Sequence, residues 1–481
     1  MTDQPAKLAP YRKLEEPLLS FSADQTKVHA HPLLGLAAHG PYTGTALAKF
    51  TPQVRIAIVG PDSGKQGRRE LLASLREQHE PTDRKDYVPT YPGFESLFGV
   101  TLVPAAAAAH ISLADSLAGI ASDSDSPHER VRSALASAID RLAMARDQFD
   151  VAVFHLPDAW EAGLRSDSFD AHDELKALGA AAGIPTQVVN DRTFKFRFQA
   201  SRAWRLGIAT YVKAGGVPWK LADIPGVPDG TAYIGLAYAL RGDPAKAQFV
   251  TCCSQVFDAD GGGMQFVAYD ARDPVTDVRE ARRNPYLSRD DMRAVLARSL
   301  QLYQARNGGN LPRRVVVHKT TAFREDELNG AVDALAAVEE MECVEITSNV
   351  AWRGVWLKAP KARDQKSVPD GYPVHRGTML PLTGTSALLW VAGNAPAASQ
   401  RGNFYQGSKS IPTPLLLTRH AGRGALEVVA AEILALSKMD WNNDALYGPV
   451  PVTVRYSQLL ARTIANVPGL RREIYPYRLF M

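Results

Sequence analysis

The chain has 481 residues, 45% of them hydrophobic and 22% charged, and carries a net charge of +4. That size and balance exclude a disordered tail, a collagen-like repeat and a small disulfide scaffold, and leave room for two or three globular domains. The mild basic excess suits a polyanionic partner without demanding one. Cys252, Cys253 and Cys343 have no metal-binding spacing, so buried thiols in a reducing compartment are expected. The opening residues lack an apolar leader core, and no stretch approaches the roughly 20 apolar residues that span a bilayer. The expectation is a cytoplasmic protein without membrane contact.

Residues 1–50 show little periodicity and read as an extended N-terminal arm. From Val54 the pattern changes: "VRIAIVG" has strand length, and "GRRELLASLREQHE" has helical spacing. Next come "GVTLVPA", a long helix around "ERVRSALASAIDRLAMARDQ" and the strand "DVAVFHLP". The helix "AHDELKALGAAAG", the strand "TQVV" and the helical run "ASRAWRLGIATYVKAGG" complete this half. Strands alternating with helices predict a parallel, Rossmann-like α/β domain over 51–224. The Pro-, Gly- and Asp-rich stretch 222–231 marks a boundary. Three consecutive strands (232–240, 247–257, 263–271) then predict an antiparallel meander. A helix over 288–306 capped by Ser288, a strand at 313–320, a helix at 325–340 and the strand "CVEITS" follow. A helix near 424–438, the strand "VPVTVRY" and a helix near 456–466 end the chain. That order predicts an RNase H-like domain over 225–481.

"VGPDSGKQG" invites comparison with a P-loop, but Gly60 and Gly64 stand one residue too close and Gln66 replaces the magnesium-holding Ser or Thr. A plain strand–turn–helix connection is favoured, and tight ATP binding is the result that would argue otherwise. More informative are His172 and Lys176, four apart on one helix face, with Gln187 at a strand entry and Lys213 near a helix end. From Arg192 to Leu221 there are seven Lys or Arg and no Asp or Glu. Cations with neutral donors and no carboxylate suit a terminal phosphate. The same residues also fit a solvated helix face and a lysine favouring a helix C-terminus.

A metal-dependent nuclease of the RNase H type needs carboxylates on its first strand and after its fourth to hold two magnesium ions. The first strand offers Tyr233-Ile234-Gly235-Leu236-Ala237, and the fourth ends His318-Lys319-Thr320-Thr321. Neither supplies a carboxylate, so this domain is expected to bind without cutting. Asp258, Asp260 and Asp270 fall in or beside predicted turns, where turn chemistry accounts for them; an active metal-dependent nuclease using displaced carboxylates such as Asp258 or Asp270 is the alternative. His318 and Lys319 at a strand end, and Arg401 and Lys409 in "RGNFYQGSK", are candidates for contact with a nucleic-acid backbone; an ordinary exposed strand end and surface loop are the alternatives.

With these residues on the page, the chain resembles a short prokaryotic Argonaute, made of MID and PIWI domains without the N and PAZ domains. The resemblance runs over nearly the whole chain, through "EEPLLSF", "GLAAHGPY", "YPGFESLFG", "KAGGVPWKL", "RRVVVHKT" and the terminal "YPYRLFM". It implies that His172, Lys176, Gln187 and Lys213 hold the 5′-phosphate of a guide strand. It also implies a magnesium ion (Mg2+) bridging that phosphate, with Gln187 and the carboxylate of Met481 as ligands. The family's first and later catalytic Asp positions fall at or near Ala237 and Thr320, so the resemblance implies lost slicing. It further implies a guide, RNA in the leading reading, paired with a single-stranded DNA target. An APAZ-containing effector would be the partner, either an NAD-consuming TIR or sirtuin-like enzyme or a nuclease, with oligomerisation on activation open. The setting implied is prokaryotic antiviral defence.

Overall fold

A computed structural model describes residues 10–44, 47, 49, 51–119, 126–167, 169–241, 248–257, 265–270, 286–348, 350–358, 366–399, 402–405, 411–442, 445–467, 470 and 474–481. Two compact units result. One comprises residues 20–220, 441–444 and 459–481; the other comprises 1–19, 221–440 and 445–458.

The first unit is built on five parallel strands, β1 (Gln53–Pro61), β2 (Thr101–Pro104), β3 (His110–Leu113), β4 (Val151–His155) and β5 (Thr186–Val189). The order is β5-β4-β1-β2, with β3 also pairing with β1. Four helices serve this sheet: α1 (Lys65–Arg76), α2 (Pro127–Met144), α3 (Ala171–Ala182) and α4 (Gln199–Lys213). Parallel strands need crossovers that cover both faces, which explains the long apolar runs in β1 and β4. Ala57 and Val59, two apart on β1, join Ala152 and Phe154 of β4 in packing against Val131, Leu135 and Leu142 of α2 and Leu175 of α3. This is the Rossmann-like arrangement expected. Strand β3 went unanticipated because its Ala-rich approach, "PAAAAAHISL", carries no alternation.

The second unit contains β6 (Thr231–Arg241), β7 (Gln248–Phe257), β8 (Gln265–Asp270), β9 (Arg314–Lys319), β10 (Glu340–Thr347), β11 (Thr378–Pro381), β12 (Ser386–Leu389) and β13 (Leu415–Ala421). Its helices are α5 (Arg289–Arg306), α6 (Glu325–Ala334) and α7 (Leu426–Leu436). Strands β6, β7 and β8 form the expected antiparallel meander; β9 then adds parallel to β6, and β10 parallel to β9. The spatial order β8-β7-β6-β9-β10 is that of an RNase H-like sheet, extended by β13, β12 and β11. Ile234 and Leu236 of β6 and Val315 and Val317 of β9 pack on Met292, Val295 and Leu296 of α5. Ser288 caps α5 as expected, its side chain accepting from the Asp291 amide. Cys343, buried in β10, has its thiol pushed up to about 12 by burial, which leaves it inert.

Four expectations need correction. "VPVTVRY" is not a strand: a helix, α8 (Val452–Asn466), begins there, with the Pro451 carbonyl accepting from Val454 and Arg455. Val452, Val454, Tyr456, Leu460 and Ile464 are all buried, and that burial overrides the β-branched propensity. Helix α6 stops at Ala334 rather than near 340, because Glu340 already starts β10. The first 50 residues are not one arm: Arg12–Lys13 pair with β11 in the second unit, whereas Pro32–His39 form a helix in the first. Residues 459–481 likewise group with the first unit instead of the second.

Candidate phosphate-binding site

The site lies in the first unit, where α3, β5, α4 and the segment ending at Met481 meet. Asp170 starts α3 by accepting from the backbone amides of His172 (2.9 Å) and Asp173 (3.2 Å). That cap fixes the angular position of every residue behind it. Lys176, one turn in, is 3% exposed, and its ammonium donates to the Thr186 carbonyl at 2.7 Å and to a main-chain oxygen of Met481. On β5, the residue after Thr186 is Gln187. Its Nε2 donates to the Val188 carbonyl at 2.9 Å, while its Oε1 accepts from the ammonium of Lys213, the last residue of α4.

Two features of the sequence "KAGG" hold Lys213 in place. Gly215 has φ +108, a backbone setting that L side chains rarely take. A Cβ on Gly216 would lie 2.2 Å from the Tyr211 ring, so only glycine lets the chain pass that buried aromatic. The loop is then pinned by the Val217 amide donating to the Thr43 hydroxyl at 2.7 Å.

The electrostatics are unusual. Burial lowers Lys176 from its ordinary 10.5 to about 7. Burial also lowers Lys213, and the neighbouring charge of Lys176 lowers it further, to well below the ordinary value. Among the described residues neither ammonium is paired with a side-chain carboxylate. Two buried lysines that share a site with no side-chain carboxylate, and with only a Met481 main-chain oxygen against Lys176, are costly to charge together, and a bound anion lowers that cost. Phosphate is such an anion, with oxygens enough for several donors.

The structure brings together Lys176, Gln187, Lys213 and Met481. His172 sits at the exposed first turn of α3, its side chain 44% exposed and its Nδ1 3.4 Å from Asp173 Oδ1. Thus the shared helix face predicted for His172 and Lys176 is real, but only one end of it is buried. Asp173 is held by contacts that sequence reading did not find. Arg462 and Asn466 of α8 bond its two oxygens at 3.1 and 2.8 Å, across sequence separations of 289 and 293 residues. Burial pushes the Asp173 carboxyl up, yet the hydrogen bonds from His172 and Asn466 and the charge of Arg462 outweigh it and hold the group at about 2. No local pattern announces a brace of that span.

For a metal, the expected ligands are committed elsewhere. Gln187 Oε1 and the Met481 oxygen each accept from a lysine, so a bare divalent ion there would face two ammonium groups. Asp170, His172 and Asp173 place ligand atoms within 4.8 Å of one another. Asp170, however, caps α3, and Asp173 is bound by Arg462 and Asn466. The donor set as folded fits an anion.

The second unit corrects two expected backbone contacts. His318 is fully buried, with Nδ1 2.9 Å from the Thr453 hydroxyl, and burial lowers it to about 3. Lys319 is also fully buried, with its ammonium 2.6 and 2.8 Å from the two oxygens of Glu327. Neither reaches solvent, so in this geometry neither touches a phosphate backbone. Arg401 and Lys409 lie outside the described residues, as do Asp258 and Asp260. Gly235 pairs with His318 in the parallel β6–β9 ladder; two residues beyond each stand Ala237 and Thr320. Ala237 thus lies within β6 and Thr320 just after β9, and neither is a carboxylate.

No protein-family profile and no curated protein sequence matches this chain. Solved structures do. The structure of Clostridium butyricum Argonaute bound to a guide DNA and a 19-mer target DNA matches with TM-score 0.67 at 15% identity, covering 98% of this chain and 54% of that one. Argonaute of A. aeolicus matches at TM-score 0.58 and 15% identity, covering 95% and 53%. Drosophila Piwi matches at 0.57 and 14%, covering 98% and 55%. The chain spans about half the length of each, and the likeness is one of fold: a Rossmann-like MID domain and an RNase H-like PIWI domain.

Proposed function

We propose that this chain holds the 5′-phosphate of a short guide strand at Lys176, Gln187 and Lys213 and presents the guide for pairing with a single-stranded DNA target. The observation that carries this reading is the pair of buried lysines without a side-chain carboxylate partner among the described residues. A terminal phosphate carries about −1.5 to −2 charges at neutral pH, enough to balance both ammonium groups. The C. butyricum structure, which contains guide and target DNA, supports the same use of the shared fold. His172, exposed at the first turn of α3, adds a peripheral contact. Base pairing supplies sequence choice, while the protein grips the strand end. Magnesium belongs to this reading only together with the phosphate, whose oxygens would add the negative charge that a neutral Gln187 amide lacks and that would offset the two ammonium groups.

Cleavage has no place in the proposal, because Ala237 and Thr320 offer nothing to hold a metal. The chain then acts as the sensing half of a short Argonaute system, and the chemistry falls to an APAZ-containing effector. That effector is NAD-consuming, TIR or sirtuin-like, in the leading version and a nuclease in the alternative. The test begins with the nucleic acid that co-purifies with the protein. Short strands that accept a kinase label only after phosphatase treatment are expected, and a complementary DNA should stay intact with magnesium or manganese. Strands with 5′-hydroxyl ends, or no short strands, overturn the guide reading; a cut target overturns the non-cleaving part alone.

A further inference from the structure

The turn joining β1 to α1 fails as a P-loop on spacing, yet a cavity of about 520 Å3 opens beside it, within the range of small-ligand pockets. It lies at the β2–β3 edge of the first unit's sheet, whereas Gln187 is on β5 at the opposite edge. Four cations line it, Lys65, Arg68, Arg69 and Arg76, against one carboxylate, Asp62. Apolar side chains such as Ile58 and Ile111 complete the wall. Among the described residues none of the four cations forms an ion pair.

Arg68 is the informative one. It is only 6% exposed, and its Nε has no hydrogen-bond partner among the described residues. One terminal nitrogen donates to the Pro61 carbonyl at 2.8 Å and meets His155 Nδ1 at 3.2 Å. His155 Nε2 is in turn 2.8 Å from Asp191 Oδ1. Burial lowers His155 despite that carboxylate, so the neutral ring donates from Nε2 to Asp191 and accepts from Arg68 at Nδ1. The chain Asp191–His155–Arg68 therefore fixes a buried guanidinium at the cavity wall without an ion pair among the described residues, the carboxylates of Asp62 and Asp115 only partly offsetting its burial. Gly64 belongs to the same construction: a Cβ there would lie 2.2 Å from His155 Nδ1 and 2.9 Å from an Arg68 nitrogen. The glycine that suggested a P-loop is required so that the turn can close over this pair.

We infer that the cavity is a second phosphate-binding site, independent of Lys176 and Lys213, which takes the phosphate groups of a nucleotide. A free nucleotide and a nucleic-acid strand share that chemistry, and the test separates them. The full chain is titrated calorimetrically with ATP and with a 5′-hydroxyl oligonucleotide. Wild type is compared with Lys65→Glu/Arg69→Glu, both exposed positions, and with Lys176→Met/Lys213→Met. Affinity for at least one probe should fall about tenfold or more in the first variant and stay within about twofold of wild type in the second. Loss for ATP assigns a free nucleotide; loss confined to the oligonucleotide assigns a strand. The inference is overturned if wild type binds neither probe, if Lys65→Glu/Arg69→Glu binds both as wild type does, or if the Lys176→Met/Lys213→Met variant loses them equally. Each of those results leaves 5′-phosphate recognition standing: equal loss in Lys176→Met/Lys213→Met would put the ATP phosphates at the guide pocket itself, and the 5′-hydroxyl oligonucleotide carries no terminal phosphate for it.

Discussion

Lys319 and Lys438 in the second unit are as buried as Lys176 and Lys213 in the first, but the surroundings differ. Lys319 faces Glu327, and Lys438 donates to Glu16 at 2.8 Å. Burial lowers all four lysines; in the second unit a carboxylate pulls back against it, leaving Lys438 at about 8. In the first unit no side-chain carboxylate does so. A buried lysine with a carboxylate is part of the scaffold. A buried pair without a side-chain carboxylate is a site suited to an anion.

This contrast can be broken by substitution. The largest stability effect is expected in the second unit. Glu327 accepts from Lys319, from the amides of Leu287 and Arg324 and from the Tyr238 hydroxyl, so Glu327→Gln should cost about 3–5 kcal/mol in denaturant unfolding. An unchanged midpoint would show that the pair is not structural. In the first unit the sign should reverse: Lys213→Met should be neutral or stabilise the unliganded protein by up to about 1–4 kcal/mol, less what Gln187 Oε1 loses. A loss comparable to that of Glu327→Gln would erase the distinction.

The pH dependence sharpens it further. Because burial puts folded Lys176 at about 7 against 10.5, the unfolded chain binds the proton more tightly between those values. The penalty is therefore full below pH 7 and disappears as pH rises toward 10.5. The stability advantage of Lys176→Met over wild type should shrink across that window; a constant difference would mean that Lys176 stays charged. The smallest effect belongs to His172→Ala. With its side chain 44% exposed, it should change affinity for a 5′-phosphorylated strand by no more than about fivefold.

Much of this was legible from residues. Alternation of strands and helices gave the Rossmann-like half, and the meander followed by two helix-linked strands gave the RNase H-like order. Lys213 stood out in a stretch without carboxylates, and Lys176 and Gln187 through their spacing and the family resemblance. What was hidden is what depends on distant contacts. His318 and Lys319 end a strand, which suggests exposure, but Thr453 and Glu327 close over them. Val452 to Tyr456 have strand propensity but take helical form because the fold buries them on one helix. Asp173 reads as a first-turn acid until Arg462 and Asn466 arrive from the far end of the chain.

The most direct measurement is the ratio of affinities for the same guide strand with a 5′-phosphate and with a 5′-hydroxyl, in wild type and in Lys176→Met/Lys213→Met. Charge-assisted hydrogen bonds of about 1.5–3 kcal/mol each predict a wild-type preference of roughly tenfold or more for the phosphate, collapsing to near unity in the variant. A preference that survives in the folded variant, or a wild type that binds both strands equally, would contradict the assignment of the buried lysines to a guide's 5′-phosphate.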